Sequence, residues 1–436
     1  MRCVAKLLVL SLNILFFASS CKIAGSLIKP ASSFASKQLD ELTVFNHGIS
    51  AFVLYDLDKK KDIVNIEGDR LFLPASNTKL FTFYTSVNIL GDSLPLAGFA
   101  IKNDTFYFRG TGNPLCLNPD FQNNGETIRF LKSQNKPLVF CDDNFFDNRF
   151  GSGWAWDDYL YDYQTEKNSF PLYGNKLTVR YKHDSIYMLP SNYFNVTVTQ
   201  REKWYFREEC SNDFYLGKYK DSTVLQIPFI TNDSLLVNML SGILETEVQI
   251  GDSATCNSLD FKTYKIAFPD SVYIRLLKNS DNFIAEQLML MCAGQLTDSL
   301  RTKIAIDYAL EHLFPEMKDK CRWVDGSGLS RYNLFSPHQI VRVLEKIYYK
   351  AGWERIKSLF PGIGEGTLQK TNSGILNSAV FAKTGSMSNN YNLSGFITTA
   401  KGHRYIFSIM NNHFLYGSKE VKKTIIEILQ HIYLNY

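Results

Sequence analysis

Pro74-Ala75-Ser76-Asn77-Thr78-Lys79-Leu80-Phe81-Thr82 is the stretch that decides how this chain of 436 residues is read. Leu80, Tyr84, Val87 and Leu90 keep helical spacing and Gly91 is a fitting stop, so the stretch opens a helix. Ser76 and Lys79 then share one helical face, three positions apart, where a lysine amine reaches a serine hydroxyl. A serine hydroxyl is a poor nucleophile at neutral pH unless a base adjoins it. Lysine serves as that base when burial or a neighbouring cation lowers its pKa. The helix N-terminus beside Ser76 also offers backbone N–H groups to a developing oxyanion. Alone, S-x-x-K has a plainer reading: a capping serine and a solvated lysine.

Two further triplets change the balance. Ser280-Asp281-Asn282 sits at the mouth of a helix expected over Phe283 to Leu296, and Lys383-Thr384-Gly385 follows the strand-like Ala379-Val380-Phe381. Together, in this order, the three resemble the acyl-serine constellation of penicillin-binding proteins and β-lactamases. The chemistry assigns each a role. Ser76 attacks a carbonyl to form an acyl-enzyme and Lys79 takes its proton. Ser280 relays that proton toward the leaving amine, and Asn282 holds the acyl amide and Lys79. Lys383 supplies positive charge for a substrate carboxylate and keeps Lys79 neutral, with Thr384 and Gly385 beside it on the strand. The backbone N–H groups of Ser76 and Ser386 would form an oxyanion hole. Rival chemistries lack their signatures. There is no H-E-x-x-H, the 7 histidines are scattered, and no G-x-S-x-G elbow occurs. No metal and no cofactor is called for. Gly362 to Gly366 reads as a loop near the cleft.

Outward from these motifs, Ile49 to Leu57 reads as a strand, with Ile63 to Ile66 as its return. Residues 97–262 change texture: short apolar segments such as Thr105-Arg109, Leu177-Tyr181 and Phe194-Thr199 alternate with Asn, Asp and Gly turns, a mostly β-and-loop pattern. Helices return at Lys303 to Leu313 and, behind the Ser336-Pro337 cap, up to Tyr349. Ser394-Thr399 and Tyr405-Met410 flank Lys401-Gly402 as a hairpin, and Val421, Ile425, Leu429 and Ile432 mark a last helix. The expected architecture is α/β and multi-domain. A catalytic unit over 41–96 and 263–436, an antiparallel sheet flanked by helices, is interrupted by a β-rich insert over 97–262. The 204 positions between Ser76 and Ser280 leave room for such an insert.

Hydrophobic residues make up 45% and charged residues 21%, which fits a packed protein and not a disordered or collagenous one. The net charge is only +4, and basic residues cluster only at Lys59-Lys60-Lys61 and Lys422-Lys423, so no nucleic-acid surface is indicated. Arg2 and Lys6, an apolar run from Leu7 to Phe17, and small residues Ala18-Ser19-Ser20 have the layout of a secretory signal over 1–20. Cys21 follows those small residues as in a lipoprotein cleavage box, so Cys21 is expected to carry lipid and 21–40 to be a linker. By proximity, Cys116 with Cys141 and Cys210 with Cys256 are candidate disulfides; free buried cysteines are the other reading.

The whole pattern resembles the serine D-Ala-D-Ala carboxypeptidases of the penicillin-binding protein 4 type, peptidase family S13. Asp325 to Leu334 (DGSGLSRYNL), Ser336-Pro337-His338-Gln339 and Gly366-Thr367-Leu368 extend the likeness beyond the catalytic triplets. So do Gly110 to Pro114 (GTGNP), Asp142 to Asp147 (DDNFFD) and Gly153 to Asp158 (GWAWDD) in the insert. Together with the secretory signal and the Cys21 box, the resemblance implies a periplasmic, lipid-anchored enzyme that cleaves the terminal D-Ala-D-Ala bond of peptidoglycan stem peptides, with D-Ala cross-links as a further substrate. It also implies β-lactams as covalent inhibitors and an insert bordering the cleft, with Asp142 and Phe146 as candidates for a stem-peptide pocket. The alternatives are a β-lactamase or D-aminopeptidase-like esterase on the same fold, and a catalytically silent peptidoglycan-binding protein.

Overall fold

A single strand, β1 (Ile49–Asp56), already shows why the fold needs two helical layers. Its side chains alternate across the sheet: Ala51 and Val53 enter one core, Phe52 and Leu54 another. Both faces are therefore apolar, and each needs a cover. The computed structural model describes residues 33–38, 40 and 48–436, apart from 123, 184, 372 and 416. The signal segment over 1–20 and Cys21 lie outside the described residues.

β1 and β2 (Lys61–Ile66) come from the start of the chain, while β3 (Val380–Met387), β4 (Asn390–Thr398) and β5 (Arg404–Asn412) come from its end. They form one antiparallel sheet in the order β3-β4-β5-β1-β2, with β1 seated beside β5 from Ile49↔Asn412 to Asp56↔Tyr405. The strand that carries Lys383 is thus an edge. On one face lie α1 (Lys79–Ile89), α2 (Asn282–Thr297) and α3 (Pro337–Ala351), sharing a core with Phe81, Leu288, Leu344 and Phe396. α3 starts at a complete capping box: Ser336 Oγ accepts from Gln339 N, and Gln339 Oε1 accepts from Ser336 N. On the other face α4 (Lys419–Asn435) buries Val421, Ile425, Leu429 and Ile432.

Between these ends the chain builds a second five-stranded sheet. Its strand order is Val248–Ile250, Leu138–Cys141, Thr105–Arg109, Ser93–Lys102 and Lys262–Ala267, with two three-stranded sheets beyond it. The β-rich character holds, but the middle of the chain also carries helices at Glu126–Lys132, Asp233–Leu244 and Ser253–Asn257. The longest is capped by Asn232, whose side chain accepts from Leu235 N, and buries Leu236, Met239, Leu240 and Leu244.

The proximity pairing of the cysteines is overturned. Cys141 bonds Cys256, 115 positions away, while Cys116, Cys210, Cys292 and Cys321 are free. The sheet explains this. Leu138–Cys141 runs parallel to Val248–Ile250, and Gly251 N donates to Phe140 O, so the turn into the helix at Ser253–Asn257 passes Cys141.

Candidate active site

A one-turn 3₁₀ segment, Ala75–Thr78, carries Ser76 into α1. It is clamped onto the sheet by side chains from β4 and β5. Leu73 N donates to Asn412 Oδ1 (2.7 Å), Asn392 Nδ2 donates to Leu73 O (2.8 Å), and Asn77 Nδ2 donates to Ser394 Oγ (2.8 Å). Those bonds hold Ala75 at φ +46°, a left-handed backbone that costs a residue with a Cβ roughly 1–3 kcal/mol. Gly385 explains the third letter of K-T-G: a Cβ there would stand 2.3 Å from Pro74 O, so only glycine lets β3 approach the turn this closely.

Lys79 Nζ lies 3.0 Å from Ser76 Oγ, 2.6 Å from Asn282 Oδ1 and 2.7 Å from Ser327 O. As an ammonium it donates to all three. As a free amine it keeps two donors for Asn282 and Ser327, and its lone pair faces the Ser76 hydroxyl. Full burial pushes this amine down to about 8, against the opposing pull of the Asp325, Glu286 and Asp281 carboxylates. Lys383 Nζ donates to Ser280 Oγ (2.8 Å) and Thr384 O (2.8 Å), and burial together with the charge of Lys79 holds it well below the usual lysine range. Burial, one of the two causes open to a lysine base, thus leads in depressing Lys79.

Local structure fixes the second triplet. Asp281 caps α2 by accepting from Ile284 N (3.1 Å) and is gripped by Arg275 (2.8 Å), while Ser280 adopts φ +60° to turn the chain into the helix. Asn282 Nδ2 donates to Tyr163 O (2.9 Å), which orients its carbonyl oxygen toward Lys79.

The Asp325 to Leu334 stretch, a landmark of the resemblance with no chemical role read from it, forms a loop over 325–333. Asp325, buried, accepts from Gly328 N (2.8 Å), Ser330 N (2.6 Å), Asn333 Nδ2 (2.7 Å) and Trp154 Nε1 (2.9 Å). The amide of Ser327 donates to Glu286 Oε1 (2.7 Å), so its carbonyl is aimed at Lys79. Gly328, at φ +81°, packs so tightly that a Cβ would come within 1.9 Å of Ala75 O. The signal was the D-G-S-G run itself, an aspartate followed by residues small enough to wrap it. Among the described residues, Glu286 Oε2 finds no hydrogen-bond partner although it is buried; burial and the nearby Asp325 raise this carboxyl toward its neutral form.

The cleft above Ser76 has a volume of about 360 Å³. Ser76, Ser280, Asn282 and Ser386 line its reactive part; Asp158, Tyr163 and Arg331 line it as well. Thr384 Oγ1 donates to Thr367 Oγ1 (2.8 Å), tying β3 to the Gly362–Gly366 loop region. Ala382 N donates to Pro361 O and not to β4. By the alternation of an antiparallel strand, Thr384 and Ser386 then direct their N–H groups to the open edge.

Asp142 and Phe146 do not join this group. Phe146 N donates to Leu300 O, past the C-terminus of α2, whereas Asn282 stands at its N-terminus; 16 helical residues separate the two by about 24 Å at 1.5 Å per residue. Asp142 accepts from Ser169 Oγ (2.5 Å) and lines no part of the cleft. Asp158, Tyr163 and Arg331 line the cleft where Asp142 and Phe146 do not.

An S-x-x-K turn, an S-D-N helix mouth and a K-T-G edge strand meeting at one cleft have the arrangement of the serine enzymes that recognise penicillin. Within that class the assignment is narrower. The chain belongs to the D-Ala-D-Ala carboxypeptidase 3 (S13) family, which matches residues 36–205 and 271–433. It is 22% identical over 429 residues to D-alanyl-D-alanine carboxypeptidase DacB of Haemophilus influenzae, covering 85% of this chain and 87% of that one. It is 23% identical over 445 residues to penicillin-sensitive carboxypeptidase A of Dictyostelium discoideum, covering 85% and 83%. The crystal structure of penicillin binding protein 4 from Haemophilus influenzae has the same fold, with a TM-score of 0.72 at 20% identity over 91% of this chain and 99% of that one.

Proposed function

We propose that this enzyme is a serine D-Ala-D-Ala carboxypeptidase of peptidoglycan stem peptides, acting through an acyl-enzyme on Ser76. The observation that carries the reading is the Ser76–Lys79–Asn282 contact, 3.0 and 2.6 Å about one buried amine. The penultimate D-Ala carbonyl lies over Ser76, with its oxygen between the N–H groups of Ser76 and Ser386. Ser76 Oγ bonds the carbonyl carbon as its proton passes to Lys79. The leaving D-Ala amine takes a proton through Ser280, which sits 2.8 Å from Lys383 Nζ. The terminal carboxylate lies toward Lys383 and Thr384, where its negative charge favours a protonated Lys383. Water then releases the acyl group and restores Ser76. Asp158 and Arg331, both lining the cleft, suit a stem-peptide side chain that ends in both an ammonium and a carboxylate, as in diaminopimelate.

The test is release of D-alanine from a soluble D-Ala-D-Ala stem-peptide mimic, lost in Ser76→Ala. Rapid turnover of penicillin without D-alanine release would favour the esterase or β-lactamase reading instead. Export and a lipid anchor on Cys21 complete the proposal. The Cys141–Cys256 disulfide supports export, since such bonds persist in oxidising compartments. Among the described residues, no helix is long and apolar enough to cross a membrane. Labelled fatty acid entering the wild type but not Cys21→Ser is the expected result.

A further inference from the structure

The wall of the cleft is a closed, rigid loop that holds aromatic rings out to solvent. Asp158 N donates to Ala155 O (3.3 Å), Tyr161 N to Asp158 O (3.0 Å), Gln164 N to Tyr161 O (2.9 Å), and Gln164 Nε2 back to Ala155 O (2.6 Å). Three anchors fix this loop to its surroundings: Trp154 on Asp325, Tyr163 O on Asn282, and Tyr159, whose hydroxyl donates to Arg207 O beneath a guanidinium 5.0 Å from its ring. Yet Trp156 is 73% exposed, Tyr161 47% and Tyr163 39%. Tyr161 and Tyr163 stack with centroids 5.3 Å apart and planes 9° from parallel. Tyr332, 46% exposed, lies against Gly153 and extends the same rim.

Exposing a cluster of apolar rings on a braced loop costs hydration free energy, and such patches mark binding surfaces. Asp157 and Asp158 stand directly after Trp156, and the Asp158 carboxylate engages the Tyr163 hydroxyl, so acid groups share this loop with the rings. Flat rings beside carboxylates suit pyranose sugars, whose axial C–H bonds stack on aromatic faces while hydroxyl and amide groups donate to acids. The patch is continuous with the cleft, because Asp158 and Tyr163 line both. A stem peptide held in that cleft spans about 3.3–3.6 Å per extended residue, which brings the sugar that bears it within reach of this rim.

We propose that Trp156, Tyr161 and the neighbouring Tyr332 form a docking platform for the amino-sugar backbone that bears the stem peptide. The enzyme then reads polymer as well as peptide, a step that rests on the carboxypeptidase reading above. The double variant Trp156→Ala/Tyr161→Ala tests it. D-alanine release is followed from a sugar-free stem-peptide mimic and from the same peptide on its disaccharide, alongside penicillin acylation as a check on folding. With sugar present, kcat/KM should fall about tenfold, mostly through KM, the equivalent of roughly 1.4 kcal/mol of lost binding. The sugar-free substrate and penicillin acylation should stay within about twofold, and Trp156→Phe should restore the difference by keeping a ring face. A parallel loss on both substrates, or no loss on either, overturns the platform. Binding of Ser76→Ala to glycan strands stripped of peptide, measured with and without the two substitutions, separates the ideas. If the wild type releases no D-alanine but the strands bind through Trp156 and Tyr161, the catalytic reading fails and the platform stands. If the strands do not bind, the platform fails by itself.

Discussion

Because burial brings Lys79 down to about 8, the rate of penicillin acylation should bend within the accessible pH range. If the free amine is the base, the rate follows its neutral fraction. That fraction is about 1% at pH 6 and about 50% at pH 8, and it is nearly complete by pH 10, for a group titrating near 8. Raising the pH from 8 to 10 should therefore increase the acylation constant only about twofold, whereas a lysine at its ordinary value would give well over fifty-fold. Stopped-flow acylation with a fluorescent penicillin reads this directly. Glu286→Gln then tests the cause. The Glu286, Asp325 and Asp281 carboxylates pull Lys79 upward, so removing one charge lowers the midpoint. The glutamine oxygen still accepts the Ser327 amide, so the plateau rate is kept. A profile that climbs without a bend past pH 10, or a midpoint that stays put or rises in Glu286→Gln, refutes the reasoning.

Three other outcomes follow from the packing. Gly328→Ala places a Cβ 1.9 Å from Ala75 O at φ +81° and should lower both Tm and acylation, because the Ser76 turn and the Ser327 carbonyl rest on that contact; unchanged acylation would contradict it. Trp154→Phe removes a 2.9 Å bond to the buried Asp325 and should cost about 1.5–3 kcal/mol in denaturant unfolding, typical of a hydrogen bond to a charged group. Reducing Cys141–Cys256 frees a segment of 115 positions and should destabilise the protein by up to about 4–5 kcal/mol, with a non-reduced peptide map showing that pair and neither Cys116–Cys141 nor Cys210–Cys256.

What could be read along the chain was local. β1 betrays itself by an apolar run that serves two cores, α3 by its Ser-Pro cap, and the three triplets by short spacings on a helix, a helix mouth and a strand. What could not be read lies in contacts between distant positions. Trp154 and Asp325 meet across 171 positions, and Asn282 meets the Tyr163 carbonyl across 119. No periodicity encodes such meetings. Asp142 and Phe146 looked right by motif position, but the 16-residue α2 carries Phe146 away from Asn282, and Asp142 is engaged by Ser169 outside the cleft lining. The helix at Asp233–Leu244 had a cap and an apolar stripe, and was hidden among the turns of its surroundings. The disulfide was missed for the same reason as the cleft wall: parallel pairing of Leu138–Cys141 with Val248–Ile250 joins residues that sequence separation keeps apart.

The central claim is that Ser76, with Lys79 at 3.0 Å, is the nucleophile. Intact mass after incubation with penicillin tests it most directly. The wild type should gain the mass of one penicillin, on a peptide containing Ser76, and Ser76→Ala should gain none. No gain on the wild type, or an equal gain on Ser76→Ala, would contradict the account.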